Sequence, residues 1–324
     1  MPRVSVIVPT NRVGGLDLIF DSLEIQTYKD FELILSDNIF KYRKDLVAER
    51  SESYKFPIIH TEPFNNPFPL NSYCRSVNAA LAYASGELVV MLSDYSWQES
   101  YWLQKHIEFH DQNQNMAVSS PHVYLDLFPV HSSVTDTYGP VAIMDTADAP
   151  FEQAEINGMD KYVQDLDDGV FDQVMWSLFE DGVNLSDTPL LSEANGPASP
   201  RDIKLGVDTG VIPPTHVFLK NDSFRLDQMM ELNGIDEELD GAHGYQDYDI
   251  SYRFVEKLGV QWYCDASNVV FIPNPRLVFR MRSRNRSNYD NRDIYEAKRA
   301  AGFPTPNTWS LKERNARIRS GNRG

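Results

Sequence analysis

The sequence predicts an α/β protein whose core is a doubly wound sheet flanked by helices. Three observations carry the prediction. Val4–Val8, Phe31–Leu35 and Leu88–Leu92 are short, continuous apolar runs of the kind that form strands buried on both faces. Segments with apolar residues at helical spacing stand between them. Each run ends on small polar or acidic residues, and open α/β sheets bind ligands at the carboxyl ends of their strands.

In chain order, Val4–Val8 is closed by Pro9-Thr10, and Leu16, Ile19, Phe20 and Leu23 recur at helical spacing after Gly14-Gly15. The second run ends at Ser36-Asp37-Asn38. Val77, Leu81 and Ala84 mark a helix stopped by Gly86, and the third run ends at Ser93-Asp94. Residues 119–205 break the rhythm, with turn signals at Asn157-Gly158 and Asn195-Gly196-Pro197 and one amphipathic helix expected within Val163–Phe179. They read as an insertion or lid. The order resumes with a strand expected at Val217–Leu219, a helix around Leu226–Leu232, a Gly/Asp-rich stretch at 233–249 and a helix from Asp249 to Leu258. Trp262–Cys264 and Val269–Ile272 are strand candidates, and the remainder is Arg-rich. No GxGxxG and no GxxxxGK[ST] occurs, so neither a dinucleotide fold nor a phosphate loop is supported.

The chain has 324 residues, enough to bury a substantial core, and two cysteines, which excludes a disulfide framework. No apolar stretch approaches the ~18 residues of a membrane span. Residues 1–10 lack a signal peptide's length and cleavage site, so a cytoplasmic, reduced protein is the expectation. The net charge of −17 is unevenly distributed. Residues 111–200 hold sixteen acidic residues and a single basic one, Lys161, whereas residues 276–324 hold thirteen basic and four acidic residues. Such asymmetry points to segments with different partners or to solvated surfaces.

Several linked stretches resemble the family 2 glycosyltransferases of the GT-A fold. VSVIVPTNR followed by SLEIQTYKDFELILSDN is similar to the family's first strand, first helix and second strand, with Ser22, Leu23, Gln26, Tyr28, Phe31 and Glu32 at characteristic positions. NAALAYASGELVVMLSD resembles the approach to the family's acidic metal motif. NDSFRLDQMMELNGIDEELDGAHGYQDYDISYRF resembles its acceptor-side block. The resemblance covers roughly residues 1–105 and 215–260. It implies a GT-A-type mixed sheet organised as a nucleotide-sugar-binding half (1–118), the acidic insertion (119–205), an acceptor-side half (206–280) and an Arg-rich C-terminal segment (281–324).

The resemblance also implies an activity: transfer of a sugar from a nucleotide diphosphate, expected to be UDP-linked, to a hydroxyl acceptor with inversion. Pro9, Thr10, Asn11, Arg12, Asn78 and Ser93 are the expected nucleotide contacts. Asp37 is expected to accept the imide N–H of uracil, although an Asp there also suits a turn cap. Asp94 is the expected ligand of Mn²⁺ or Mg²⁺, since such cations take carboxylate oxygens. The family's acidic motif is thinned here to Leu92-Ser93-Asp94-Tyr95. Asp247 is the candidate base for the acceptor hydroxyl, Asp249 is assigned to helix capping, and Gln246 replaces the family's Glu. Tyr95, Trp97, Asn221 (with Ser223), Asp236 and Gln246 are the expected acceptor contacts.

Arg280, Arg282 and Arg284 alternate with period two and suit a diphosphate, nucleic-acid phosphates or solvent equally well. His243 and Asn274 stand where a late metal-binding His would be sought. His106 and His110 have a zinc-compatible spacing, but the residues around them read as helix packing. Two other readings stay open: a DNA-modifying glycosyltransferase acting on a hydroxylated base, and a non-catalytic nucleotide-sugar-binding module.

Overall fold

A computed structural model describes residues 2–10, 16–67, 72–94, 96–125, 209–241, 244–273, 288–306 and 309–321. The helix expected within 163–179 lies outside them, as does almost all of the acidic insertion. The first half runs β1 (Val4–Thr10), α1 (Leu16–Glu24), β2 (Phe31–Asp37), α2 (Phe40–Ser51), β3 (Ile58–Thr61), α3 (Tyr73–Tyr83), β4 (Leu88–Leu92), β5 (Trp97–Gln98), α4 (Trp102–Gln112), β6 (Met116–Ser119) and β7 (His122–Leu125). The second runs β8 (Gly210–Ile212), β9 (Asn221–Arg225), α5 (Leu226–Glu231), α6 (Gln246–Leu258), β10 (Gln261–Cys264), β11 (Val270–Pro273), α7 (Asn288–Ala300) and α8 (Leu311–Arg319).

Among the described residues, eight strands form one mixed sheet in the order β3-β2-β1-β4-β9-β6-β10-β8, and β5-β11-β7 form a second, smaller sheet. Strands β1 to β4 are mutually parallel where they pair. Period-two alternation explains why their sequences are apolar throughout. Ile7, Ile34, Val89 and Met91 enter a core with α3, α5 and α6. Val6, Val8, Leu33, Leu35, Val90 and Leu92 enter the opposite core with α1 and α4.

The strand expected at Val217–Leu219 is corrected. Pro214–His216 is a 3-10 turn and Leu219 has φ +49°, whereas the strand is Asn221–Arg225. Val217 and Leu219 are buried at 0% and 2% exposure, so their apolar character serves the core without strand pairing. β9 runs antiparallel to β4 with Leu92 opposite Asn221. Its amino end therefore lies beside the carboxyl end of β4, and the Ser93 N–H donates to the Lys220 carbonyl at 3.1 Å. The helix expected from Asp249 begins at Gln246, which places Asp247 inside its first turn.

The C-terminal helices belong to the packed body and are not a solvated arm. Asn315 Nδ2 on α8 donates to the carbonyls of Leu81, Ala82 and Ala84 at 3.2, 3.1 and 2.8 Å, covering the end of α3. Arg314 stacks on Phe64 and Trp309, 4.0 and 4.3 Å from their ring centres.

Candidate active site

The site forms where β1, β2 and β4 end and β9 begins, because the apolar strands there give way to polar residues. Thr10 Oγ1 donates to Asp94 Oδ2 at 3.1 Å, tying the ends of β1 and β4 together. Asp37 closes β2 and is fully buried. Its Oδ1 accepts the Ile39 N–H at 2.9 Å, and its Oδ2 lies 2.9 Å from His60 Nε2. One oxygen thus caps the turn after β2, and the other meets the His60 ring.

Tyr73, at the first turn of α3, gathers the rest. Its hydroxyl donates to the Leu219 carbonyl at 3.1 Å. Burial pushes its phenol well above the usual range, and the carboxylates of Asp247, Asp222 and Asp94 add to that rise. The charges of the two carboxylates selected from the sequence, 153 residues apart in the chain, thus both act on one tyrosine, as does that of Asp222. Tyr245, immediately before α6, adopts a left-handed conformation with φ +70°. A bulky residue there is uncommon, and it turns the chain into α6, whose first turn holds Asp247.

Four residues expected to contact ligand are held by protein partners. Asn78 is locked onto the 234–237 turn: Oδ1 accepts the Ile235 N–H, and Nδ2 donates to the Ile235 carbonyl and Glu237 Oε1, all at 2.8–3.0 Å. A Cβ on Gly234 (φ +75°) would lie 2.2 Å from Asn78 Oδ1, so the turn requires glycine. Asn221 accepts from Trp102 Nε1 at 2.8 Å and donates to the Pro121 and Asn268 carbonyls at 2.9 and 2.7 Å. Asp236 caps the 237–239 turn through the Glu238 N–H at 3.0 Å and pairs with Lys298. Gln246 is buried and donates to the Leu239 carbonyl at 3.3 Å.

Asp249 also differs from expectation, since it pairs with buried Arg253 at 2.8 Å and does not cap the helix with its side chain. Burial raises its carboxyl pKa, with Arg253 opposing. Pro9 lies in β1 opposite Ser36, and Ser93 continues the β4 edge. The Trp97 backbone pairs with Phe271, but its side chain, together with Asn11, Arg12, Tyr95, His243, Asn274, Arg280, Arg282 and Arg284, lies outside the described residues.

The positions that carry the family resemblance are largely scaffold too. Ser22 Oγ donates to Gln98 Oε1 at 2.7 Å, and Gln26 bridges the Ser22 and Glu99 carbonyls and the Leu103 N–H. Glu32 accepts from Ser5 Oγ and from the N–H and hydroxyl of Ser85. Sequence reasoning missed His60, Tyr73 and Asp222, and also Asp240, which accepts the N–H groups of Cys74 and Arg75 and so caps α3 from 165 residues away. Burial lifts the Asp240 carboxyl to about 6 against the pull of those donors and of Arg75.

Among the described residues no group of three His, Cys, Asp or Glu side chains is arranged to hold a metal ion. The donor set at Asp94 suits a hard divalent cation whose remaining ligands come from phosphate oxygens and water, not an all-protein cage.

This mixed sheet flanked by helices has the GT-A architecture, and solved structures show the same fold. The chain is similar to S. aureus TarS residues 1–349, at 12% identity and TM-score 0.52, covering 96% of this chain and 68% of that one. It is similar also to the mannosyltransferase PcManGT of Pyrobaculum calidifontis in complex with GDP-Man and Mn²⁺, at 14% identity and TM-score 0.52, covering 99% and 71%. TarS 1–349 in complex with UDP matches at 10% identity and TM-score 0.50, covering 99% and 70%. No family model and no curated protein matches the sequence.

Proposed function

We propose that the chain is a glycosyltransferase that moves a sugar from a UDP-linked donor to a hydroxyl acceptor with inversion. The placement of Asp94 where the ends of β1 and β4 are tied together, with Asp247 in the first turn of α6, carries this reading. Asp247 takes the proton of the acceptor hydroxyl as its oxygen attacks the anomeric carbon. The bond from that carbon to the diphosphate breaks, and UDP leaves with the bonding electrons. Tyr73, kept protonated by its surroundings, holds the 219–222 turn through Leu219.

Asp94, oriented by Thr10, would hold Mn²⁺ or Mg²⁺ together with the donor phosphates. The bound ion would neutralise charge building on the leaving diphosphate. The proteins of similar fold with GDP-Man and Mn²⁺, or with UDP, support a nucleotide-sugar donor and a divalent ion. A glycan is the acceptor in this reading, and a cytoplasmic location belongs to the proposal. Among the described residues no helix is long and apolar enough to cross a membrane.

The nucleic-acid reading loses part of its basis. Lys298 and Arg314 from the basic segment are engaged within the fold, Lys298 with Asp236 and Glu238 and Arg314 with two aromatic rings.

Titration with UDP, GDP and dTDP, each with and without Mn²⁺, tests the assignment. UDP should bind with Mn²⁺-dependent tightening that Asp94→Asn reduces at least ~10-fold. Mn²⁺-independent binding, or no binding of any of the three, would contradict it.

A further inference from the structure

His60 stands in β3 opposite Leu35, one step from the end of the strand. Its side chain is 9% exposed and meets buried Asp37 through Nε2 at 2.9 Å. The ring packs on Phe40 with centroids 4.5 Å apart. Its other nitrogen, Nδ1, is buried and has no hydrogen-bond partner among the described residues. His60 and Phe40 also line a cavity of about 320 Å³, together with Thr61, Glu62, Phe64 and Tyr83.

In the neutral form of the ring, the contact with Asp37 sets the chemistry of the orphan nitrogen. An ionised carboxylate only accepts hydrogen bonds, so Asp37 holds the proton of the neutral imidazole on Nε2. Nδ1 is then an acceptor without a donor. Leaving such a group buried is unfavourable, and a ligand that brings an N–H to it removes the penalty. A ligand that brings a lone pair meets repulsion instead.

We propose that His60, oriented by Asp37, selects the donor's base through Nδ1, which accepts the ring N–H of uracil. This rests on the donor reading proposed above and refines it. The sequence assigns the imide contact to Asp37, whose two oxygens face the Ile39 N–H and His60 Nε2, and here that contact passes to His60. Asp37 is thus a positioning residue, and His60 determines specificity. Cytosine, nearly isosteric with uracil, carries a lone pair at the same ring nitrogen and is the discriminating probe.

The test is calorimetric titration of the full chain with UDP and with CDP, in Mn²⁺, for wild type, His60→Phe and His60→Gln. Wild type should prefer UDP to CDP by at least ~10-fold. His60→Phe keeps a ring against Phe40 but has no nitrogen, and its preference should collapse to within about 2-fold, mainly through weaker UDP binding. His60→Gln retains both a donor for Asp37 and an acceptor, and should keep part of the preference even if the Phe variant folds poorly. Equal affinity of wild type for UDP and CDP overturns the inference, as does a preference for CDP, which a doubly protonated imidazole would give. An unchanged preference in both variants also overturns it while leaving the donor site standing. Failure of wild type to bind either nucleotide removes the donor reading and this inference with it.

Discussion

His106 and His110 show how one hydroxyl can settle the state of two rings. Asn221 Oδ1 can only accept, so His106 Nε2, 3.2 Å away, carries the proton. Ser223 Oγ then donates to His106 Nδ1 at 2.9 Å and accepts from His110 Nε2 at 2.8 Å. Burial lowers the two pKa values to about 4 and about 3. Both lie below the unfolded value near 6.5, so the stability held by the neutral rings is present above that pH and is lost as pH falls toward 4. For His106 alone the loss is on the order of 3 kcal/mol. Urea unfolding from pH 7 to 4 should therefore show falling stability, with a flatter profile in His106→Gln. The same network places both rings among core partners, Ser223 and Asn221. The HIEFH spacing was legible, but its partner 113–117 residues away was not.

Elements are tied together here by side chains that reach across long stretches of chain. Asn315 satisfies three carbonyls at the end of α3, and Asp240 satisfies two N–H groups at its start. Asn315→Ala should cost about 1–2 kcal/mol in urea unfolding, because it leaves buried acceptors unmet. Gly86→Ala should be at least comparably damaging: its new Cβ would fall 2.6 Å from the Ser5 nitrogen, and backbone cannot yield as a flexible side chain can. A thermal melt that left either variant at the wild-type midpoint would refute the corresponding claim.

At this scale the strands of the first half were readable, because burial on both faces leaves an uninterrupted apolar signature. β3 and β9 were not. β3 is only partly buried along Ile58–His60, and β9 reads NDSFR, a sequence whose Asn221 and Ser223 are matched by Trp102, His106 and His110 of α4. Asp94 and Asp247 were legible as carboxylates at element ends. The scaffold roles of Asn78 and Asn221 were not, since each is defined by partners distant in sequence.

Over the whole molecule, the charge asymmetry takes on a different meaning. The net −17 suggests a chain that avoids polyanions, and the basic C-terminal segment suggests an arm that seeks them. In the folded protein part of that segment is engaged, with Lys298 of α7 on Asp236 and Glu238 of the turn before α6, and Arg314 of α8 on the rings of Phe64 and Trp309. Tertiary pairing, not net charge, thus decides what these residues contact. In the proposed mechanism Asp94 and Asp247 serve one site in different roles. UDP release from a UDP-sugar in Mn²⁺, measured for wild type and Asp247→Asn beside UDP affinity, tests it most directly. Release should fall at least ~10²-fold in the variant, with UDP affinity within about 3-fold of wild type. Equal release rates in the two proteins would contradict the claim.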